Sequence, residues 1–315
     1  MRIVVLDGRT TNPGDISWEP LAALGELTVY DTIPPELAAA RVREADVVIY
    51  CRMNITAELI DALPRLRYLG TLSTGYNTTD LQAAARRGIP VCNVPQYCAG
   101  TVAQFTFSLL LALCNRVESH SARVKAGRWE ESVDTGTLRE PFVELQGKTL
   151  GLFGYGNIAR RVGAIARAMG MQVLAFRRHP QPEEGVSFVS QEELLRRSDV
   201  ISIHCPLTPQ TRHAFNAETL AAMKPGALLI NTARGAVVEE AAVAAALHSG
   251  ALGGYGADVF ETEPDLSRSP LCTAPNTTLT PHIAWASREA RQRLVNEVAE
   301  NLRVWMNGGE RNRVN

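Results

Sequence analysis

The sequence lacks an excess of either charge. Its 315 residues hold 32 Lys and Arg against 33 Asp and Glu, a net charge of −1. A surface that tracks phosphates normally needs a marked basic excess, so no nucleic-acid partner is expected. Long apolar runs are also missing. The most apolar helical stretch, AQFTFSLLLALC at 103–114, carries Gln, Thr and Ser and falls well short of the roughly 20 residues a membrane span requires. No membrane association is expected, and the opening MRIVVLDG has no signal-peptide layout. Cysteine is sparse: Cys51, Cys92, Cys98, Cys114, Cys205 and Cys272 form no CxxC pair. Such a pattern points to buried thiols in a reducing, cytoplasmic setting and to no metal site. With 45% apolar and 21% charged residues the composition is that of an ordinary globular chain, long enough for about two domains.

What the chain has is an alternation of short Val/Ile/Leu runs with alanine-rich helical stretches. Strands are expected at 3–7, 27–30, 46–50, 68–73 and 90–94, with helices near 34–44, 56–63 and 79–87, the last ended by Gly88. A long helix at 99–118 follows, then a segment at 119–147, with Trp129, Gly136 and Pro141, that reads as a loop-rich excursion. The alternation restarts with strand 149–153, helix 157–168 and strand 171–176. Ser190 and Glu193 form a capping box for helix 191–197. Strand 200–205, helix 217–223 capped by Asn216, strand 227–231, helix 238–249 ended by Gly250, and strand 254–259 complete the second series. A final amphipathic helix at 287–306 carries Leu294, Val298, Leu302 and Trp305 on one stripe. Strands apolar on both faces and separated by helices imply an α/β fold, two doubly wound parallel sheets with a ligand-binding cleft between the domains.

Strand 149–153 runs into Gly154-Tyr155-Gly156-Asn157-Ile158-Ala159 and then a helix. That context fits a dinucleotide turn, in which the glycines permit the bend and the approach of backbone to a pyrophosphate at the helix N-terminus; a purely structural turn is the alternative. An acid about 20 residues on would hold the ribose 2′-hydroxyl of NAD. Here strand 171–176 ends at Arg177 and Arg178, with no acid before Glu183. Two guanidiniums suit a 2′-phosphate, so NADP(H) is expected in preference to NAD(H), unless the pair is only a solvated surface feature. Further on, Arg234 in NTARG, Glu263 in FETEP and His282 in TPHIAW each fall at or beyond a strand's carboxyl end. Reduction of a 2-oxo acid needs a cation for carboxylate and carbonyl oxygen, a proton donor, and a carboxylate that keeps the donor charged; these three residue types supply them. His204, inside an apolar strand, reads as a core or strand-end histidine.

The ordered pieces STGYN (73–77), GIPVCNVP (88–95), VAQFTFSLLL (102–111), GKTLGLFGYGNIARRV (147–162), HCPLTPQTR (204–212), NTARG (231–235), GADVFETEP (256–264) and TPHIAW (280–285) resemble the D-isomer-specific 2-hydroxyacid dehydrogenases. VAQFTFSLLLALCNRV followed by EPFVELQGKTLG is most similar to the hydroxypyruvate and glyoxylate reductases, or glycerate dehydrogenases. The resemblance implies a flavodoxin-like substrate domain of residues 1–98 plus 285–315 and a Rossmann dinucleotide domain of 99–284. It implies His282 as acid/base, Glu263 as its partner and Arg234 as substrate clamp. Backbone N–H groups of Thr74, Gly75 and Tyr76 would hold the substrate carboxylate, with Arg52 nearby. Gly154, Gly156, Asn157 and Ile158 would meet the pyrophosphate, and Cys205, Pro206 and Thr211 the adenosine side. Thr232, Ala233, Asp258, His282 and Ala284 would surround the nicotinamide. Ala159 and Arg177 depart from the family pattern, the first at the third glycine, the second at the acid of NAD-using members. A homodimeric reductase of a small 2-oxo acid is therefore expected; a dinucleotide-sensing corepressor or scaffold, or a formate- or phosphite-type dehydrogenase, are the alternatives.

Overall fold

The computed structural model describes residues 1–129 and 142–315. The chain divides into two compact units, Met1–Cys98 with Trp285–Asn315, and Ala99–Ala284.

The first unit is built on β1 (Arg2–Val5), β2 (Glu26–Val29), β3 (Val47–Tyr50), β4 (Tyr68–Thr71) and β5 (Val91–Cys92). All are parallel, in the order β2-β1-β3-β4-β5. Successive side chains of a strand point to opposite faces. Val4, Leu6, Val48 and Tyr50 therefore join one apolar cluster, and Ile3, Val5, Val47 and Ile49 join another. The C-terminal helix Arg288–Met306 closes the second face with buried Leu294, Val298 and Leu302, and Trp305 packs on Tyr68 at a ring separation of 5.1 Å. Strand order reverses between β1 and β3, and ligands in such sheets collect outside the carboxyl ends at that switch.

The second unit contains β6 (Thr149–Phe153), β7 (Gln172–Phe176), β8 (Ser187–Phe188), β9 (Val200–Ile203), β10 (Ala227–Asn231), β11 (Leu252–Ala257) and β12 (Thr277–Leu279). They form one parallel sheet in the order β12-β11-β10-β9-β6-β7-β8, with its switch between β6 and β9. Helices Ala99–Asn115 and Asn157–Ala168 cover one face through Phe107, Leu110, Val162 and Ala166. Gln191–Arg197 and Glu240–Ser249 cover the other through Leu194, Leu195, Val243 and Leu247. Both units are thus doubly wound α/β layers.

The Ser190–Glu193 capping box and the Asn216 cap are present, and Gly88 and Gly250 take the left-handed backbone that ends a helix. The expected helix 99–118 is corrected. It stops at Asn115 because Arg116 adopts φ +48°, and a new helix runs over Val117–Lys125, into the segment read as loop-rich. That helix buries none of its residues, so no apolar period announces it. Gly136 and Pro141 lie outside the described residues. The two-residue strand β8, three-residue strand β12 and the four-residue helices Gly8–Thr11 and Glu19–Ala22 are too short to generate a readable period. No described helix is long and apolar enough to cross a membrane.

Candidate active site

The turn after β6 has one geometry open to it. Gly154 sits at φ +90°, and a Cβ there would lie 2.7 Å from the Cys205 nitrogen and 2.8 Å from the His204 carbonyl carbon. Only glycine satisfies both the left-handed backbone and that approach. Gly156 caps the Asn157–Ala168 helix without a side-chain hydrogen bond, and nothing lies within 4 Å of where its Cβ would be. Among the described residues the N–H groups of Asn157, Ile158 and Ala159 have no protein acceptor, the arrangement that receives a phosphate. Ala159, in place of the third glycine, is fully buried and its methyl is accommodated in the apolar layer under the helix.

Beyond β7, Arg177 is half-buried and Arg178 exposed, and neither forms a hydrogen bond or ion pair among the described residues. The nearest following acid, Glu183, is engaged: it accepts from the Tyr155 hydroxyl at 2.6 Å and pairs with Arg160 at 3.4 Å. The 205–211 loop is closed on itself by Thr211, whose Oγ1 donates to the Pro206 carbonyl at 2.7 Å and accepts from Thr208 N at 2.8 Å. Burial pushes the Cys205 thiol up to about 11, which leaves it protonated and unreactive. His204 is a strand-end histidine, one residue past β9 and half-buried, hydrogen-bonded to Ser202 at 2.9 Å, with desolvation pushing its pKa down to about 3.

The strands on the other side of the switch carry the titratable groups. After β12 the chain turns at His282, which adopts φ +55°, and its Nδ1 lies 2.7 Å from Glu263 Oε2. Glu263 Oε1 accepts from Phe260 N at 2.9 Å, which fixes the carboxylate plane. A carboxylate only accepts, so Nδ1 carries the proton of this pair and proton exchange falls to Nε2. Both side chains are about one-third exposed. Asp258, 1% exposed, shapes the loop from below. Its Oδ1 accepts from Thr280 Oγ1 at 2.7 Å and Ile283 N at 2.9 Å, and its Oδ2 from Ala284 N at 2.7 Å. Burial nevertheless raises its pKa.

Arg234 is exposed on the loop after β10 and donates through Nη1 to the Ala233 carbonyl at 2.7 Å. The buried Asn231 side chain folds that loop, donating to the Arg234 carbonyl and accepting from Ala233 N, each at 3.0 Å. Thr232 lies on the same loop, its hydroxyl 3.2 Å from that of Thr106. Gly235 then packs against the 260–261 backbone so closely that a Cβ would sit 1.8 Å from the Phe260 carbonyl carbon. Glu240 anchors the far side, accepting from Glu261 N at 2.8 Å and Ser269 Oγ at 2.5 Å. The structure therefore pairs Glu263 with His282 directly and carries Arg234 on the loop that abuts theirs.

In the first unit, Thr74, Gly75 and Tyr76 follow β4. Among the described residues their backbone N–H groups donate to no protein acceptor. The loop is held by other bonds: Thr74 Oγ1 to the Val94 carbonyl at 2.9 Å, Asn93 Nδ2 to the Thr74 carbonyl at 2.7 Å, and the Ser73 hydroxyl to the Gly75 carbonyl. Consecutive unsatisfied N–H groups form an anion-binding concavity. Arg52 is exposed at the carboxyl end of the neighbouring β3. Asn93, Asn231 and Glu240 were not singled out from the sequence. Asn231 stands inside NTARG, so its motif was the available signal; Asn93 and Glu240 act on distant segments and gave none.

Two doubly wound units with a glycine turn at a switch point, open helix N–H groups and a histidine–carboxylate pair define a dinucleotide-linked oxidoreductase. Residues 107–284 match the family described as "D-isomer specific 2-hydroxyacid dehydrogenase, NAD binding domain". The chain is 41% identical to hydroxypyruvate reductase of Blautia hydrogenotrophica over 100% of both proteins. It is 38% identical to glyoxylate reductase of Aeropyrum pernix, covering 89% of this chain and 85% of that one. The crystal structure of the TT0316 protein of Thermus thermophilus superposes with a TM-score of 0.88 at 37% identity, covering 100% of each chain. The chain belongs to the D-isomer-specific 2-hydroxyacid dehydrogenase family. It is an oxidoreductase of hydroxy acids and their oxo counterparts that uses a nicotinamide cofactor.

Proposed function

We propose that this protein reduces glyoxylate or hydroxypyruvate to the D-2-hydroxy acid with NADPH as the preferred donor. The observation that carries the reading is the 2.7 Å pairing of His282 Nδ1 with Glu263. The nicotinamide supplies hydride to C2 when bound. His282 Nε2 gives its proton to the oxygen as negative charge develops there, and Glu263 keeps the ring oriented and stabilises the imidazolium beforehand. Arg234 holds the carbonyl oxygen and carboxylate with two parallel donors, a fixed charge worth several kcal/mol in such sites. The N–H groups of Thr74, Gly75 and Tyr76 take the substrate carboxylate, with Arg52 on the turn after the neighbouring strand.

Gly154, Gly156, Asn157 and Ile158 receive the pyrophosphate. Cys205, Pro206 and Thr211 line the adenosine side, and Thr232, Ala233 and Ala284 the nicotinamide. Three hydrogen bonds leave one of the four acceptor positions of the Asp258 carboxylate for the carboxamide N–H. Arg177 and Arg178, unpaired among the described residues, with Glu183 already occupied, support a 2′-phosphate. Met1–Cys98 with Trp285–Asn315 acts as the substrate domain and Ala99–Ala284 as the dinucleotide domain. We further assign a homodimer, supported by the exposed apolar Val117, Val124, Trp129 and Phe142, which light scattering tests, and a cytoplasmic setting, supported by six unbridged cysteines. A panel of 2-oxo acids assayed with NADPH and with NADH tests the rest. Turnover confined to other acids, or equal kcat/KM with both cofactors, would overturn the corresponding part.

A further inference from the structure

We propose that Asp7 is a positioning residue for substrate selection, holding the turn that presents Arg52 to the C3 substituent of the 2-oxo acid. This rests on the assignment of Arg52 and the Thr74–Tyr76 amides to substrate binding. Asp7 follows β1 and is 6% exposed. Its Oδ1 accepts from Cys51 N at 2.7 Å, and its Oδ2 from Arg52 N at 2.6 Å and Met53 N at 3.1 Å. Three consecutive amides directed at one carboxylate bend the chain sharply where β3 ends and fix the Cα of Arg52.

Strand pairing does not require this clamp, because Leu6 N already bonds the Ile49 carbonyl at 3.0 Å. β3 and β4 are parallel with Tyr50 opposite Thr71. Past that pair Leu72 N bonds the Tyr50 carbonyl at 2.7 Å and Cys51 Sγ the Leu72 carbonyl at 3.6 Å, so the turns carrying Arg52 and Thr74–Tyr76 leave adjacent strand ends. Its guanidinium has no protein partner among the described residues and is exposed. A carboxylate so close to an anion site would repel substrate if its charge were left open; here three amide dipoles engage it. With the amides holding the C1 carboxylate, the guanidinium is the group left to read the other end of the substrate. Glyoxylate has no C3, whereas hydroxypyruvate carries a C3 hydroxyl, so the two acids report separately on the two donor sets.

The test is a cycle of Asp7→Asn, Arg52→Ala and the double variant, measuring KM and kcat for hydroxypyruvate and glyoxylate, with NADPH Kd as control. Asp7→Asn is expected to raise the hydroxypyruvate KM about tenfold. The glyoxylate KM, kcat and NADPH Kd should stay within about twofold, and the double variant should be no worse than Arg52→Ala. Additive effects, or equal effects on both acids, would overturn the proposal, since a structural defect would affect them alike. Arg52→Ala effective with Asp7→Asn silent overturns the proposal alone. Arg52→Ala silent on both acids removes its premise and with it the proposal. Asp7→Ser, which keeps one acceptor, serves if Asp7→Asn does not fold.

Discussion

Replacing Gly235 by alanine would place a methyl carbon 1.8 Å from the Phe260 carbonyl carbon, 1.9 Å from its oxygen and 2.4 Å from the Glu261 nitrogen. All three atoms are backbone, so no side chain can rotate away. Ordinary contact begins near 3.4 Å, and the two loops must separate by roughly 1.5 Å. Glu261 cannot follow freely, because its N–H is held by the buried Glu240 carboxylate. The displacement therefore reaches Glu263 two residues on and stretches its 2.7 Å bond to His282. A misplacement of about 1 Å in a catalytic group costs about a hundredfold in rate, or about 2.7 kcal/mol of barrier. The overpacking should also cost about 1–3 kcal/mol of stability. Gly235→Ala should thus lower kcat about a hundredfold while NADPH Kd, followed by quenching of protein fluorescence, changes little. A folded variant retaining more than a third of wild-type kcat would refute the coupling between the Gly235 contact and the acid–base pair.

His282→Ala should lower kcat about 10²- to 10⁴-fold, far more than it weakens NADPH binding; retained turnover under steady-state assay would remove His282 from proton transfer. Replacing Arg177 and Arg178 together by serine should raise the NADPH KM by about tenfold or more and leave the NADH KM within about twofold. Equal change with both cofactors would remove the arginines from 2′-phosphate recognition. Burial opposes ionisation of Asp199, but the Lys224 ammonium at 2.9 Å and Thr149 N–H at 2.8 Å outweigh it and hold the carboxyl below its ordinary value. Its folded pKa lies below its unfolded one, so the stabilisation is present above the ordinary carboxylate range and is lost as pH falls through the lowered value. Asp199→Asn should accordingly lose less Tm than wild type between about pH 5 and pH 3. Parallel Tm profiles would contradict it.

Most of the strands that bear the candidate site were legible because their apolar runs are buried on both faces: the burial of β3, β4 and β10 is unbroken. The turn at Gly154 was readable because a glycine pattern following a strand has few structural meanings. Arg234, Glu263 and His282 could be singled out as chemically apt types at strand ends, yet their pairing could not, since Glu263 and His282 meet only through the ends of two adjacent strands. Less visible were the residues that act at long sequence range. Asp7 bonds amides more than 40 positions away, and Glu240 reaches Ser269. Asp258 was assigned toward the nicotinamide, while in the structure most of its acceptor capacity serves the loop that carries His282. The helix Val117–Lys125 went unread because it buries nothing.

The three bonds from Asp258 to residues 280, 283 and 284, and the Glu263–His282 pair, all close within Ala99–Ala284. The turns bearing Arg52 and Thr74–Tyr76 belong wholly to the other unit. The bonds that set the proton-transfer apparatus thus share no residue with the segments assigned to choosing the acid. Grafting 51–54 and 73–77 from a relative of different preference should retarget the protein while its imidazole keeps the same carboxylate and the same tautomer, which makes this chain a chassis for altered substrate scope.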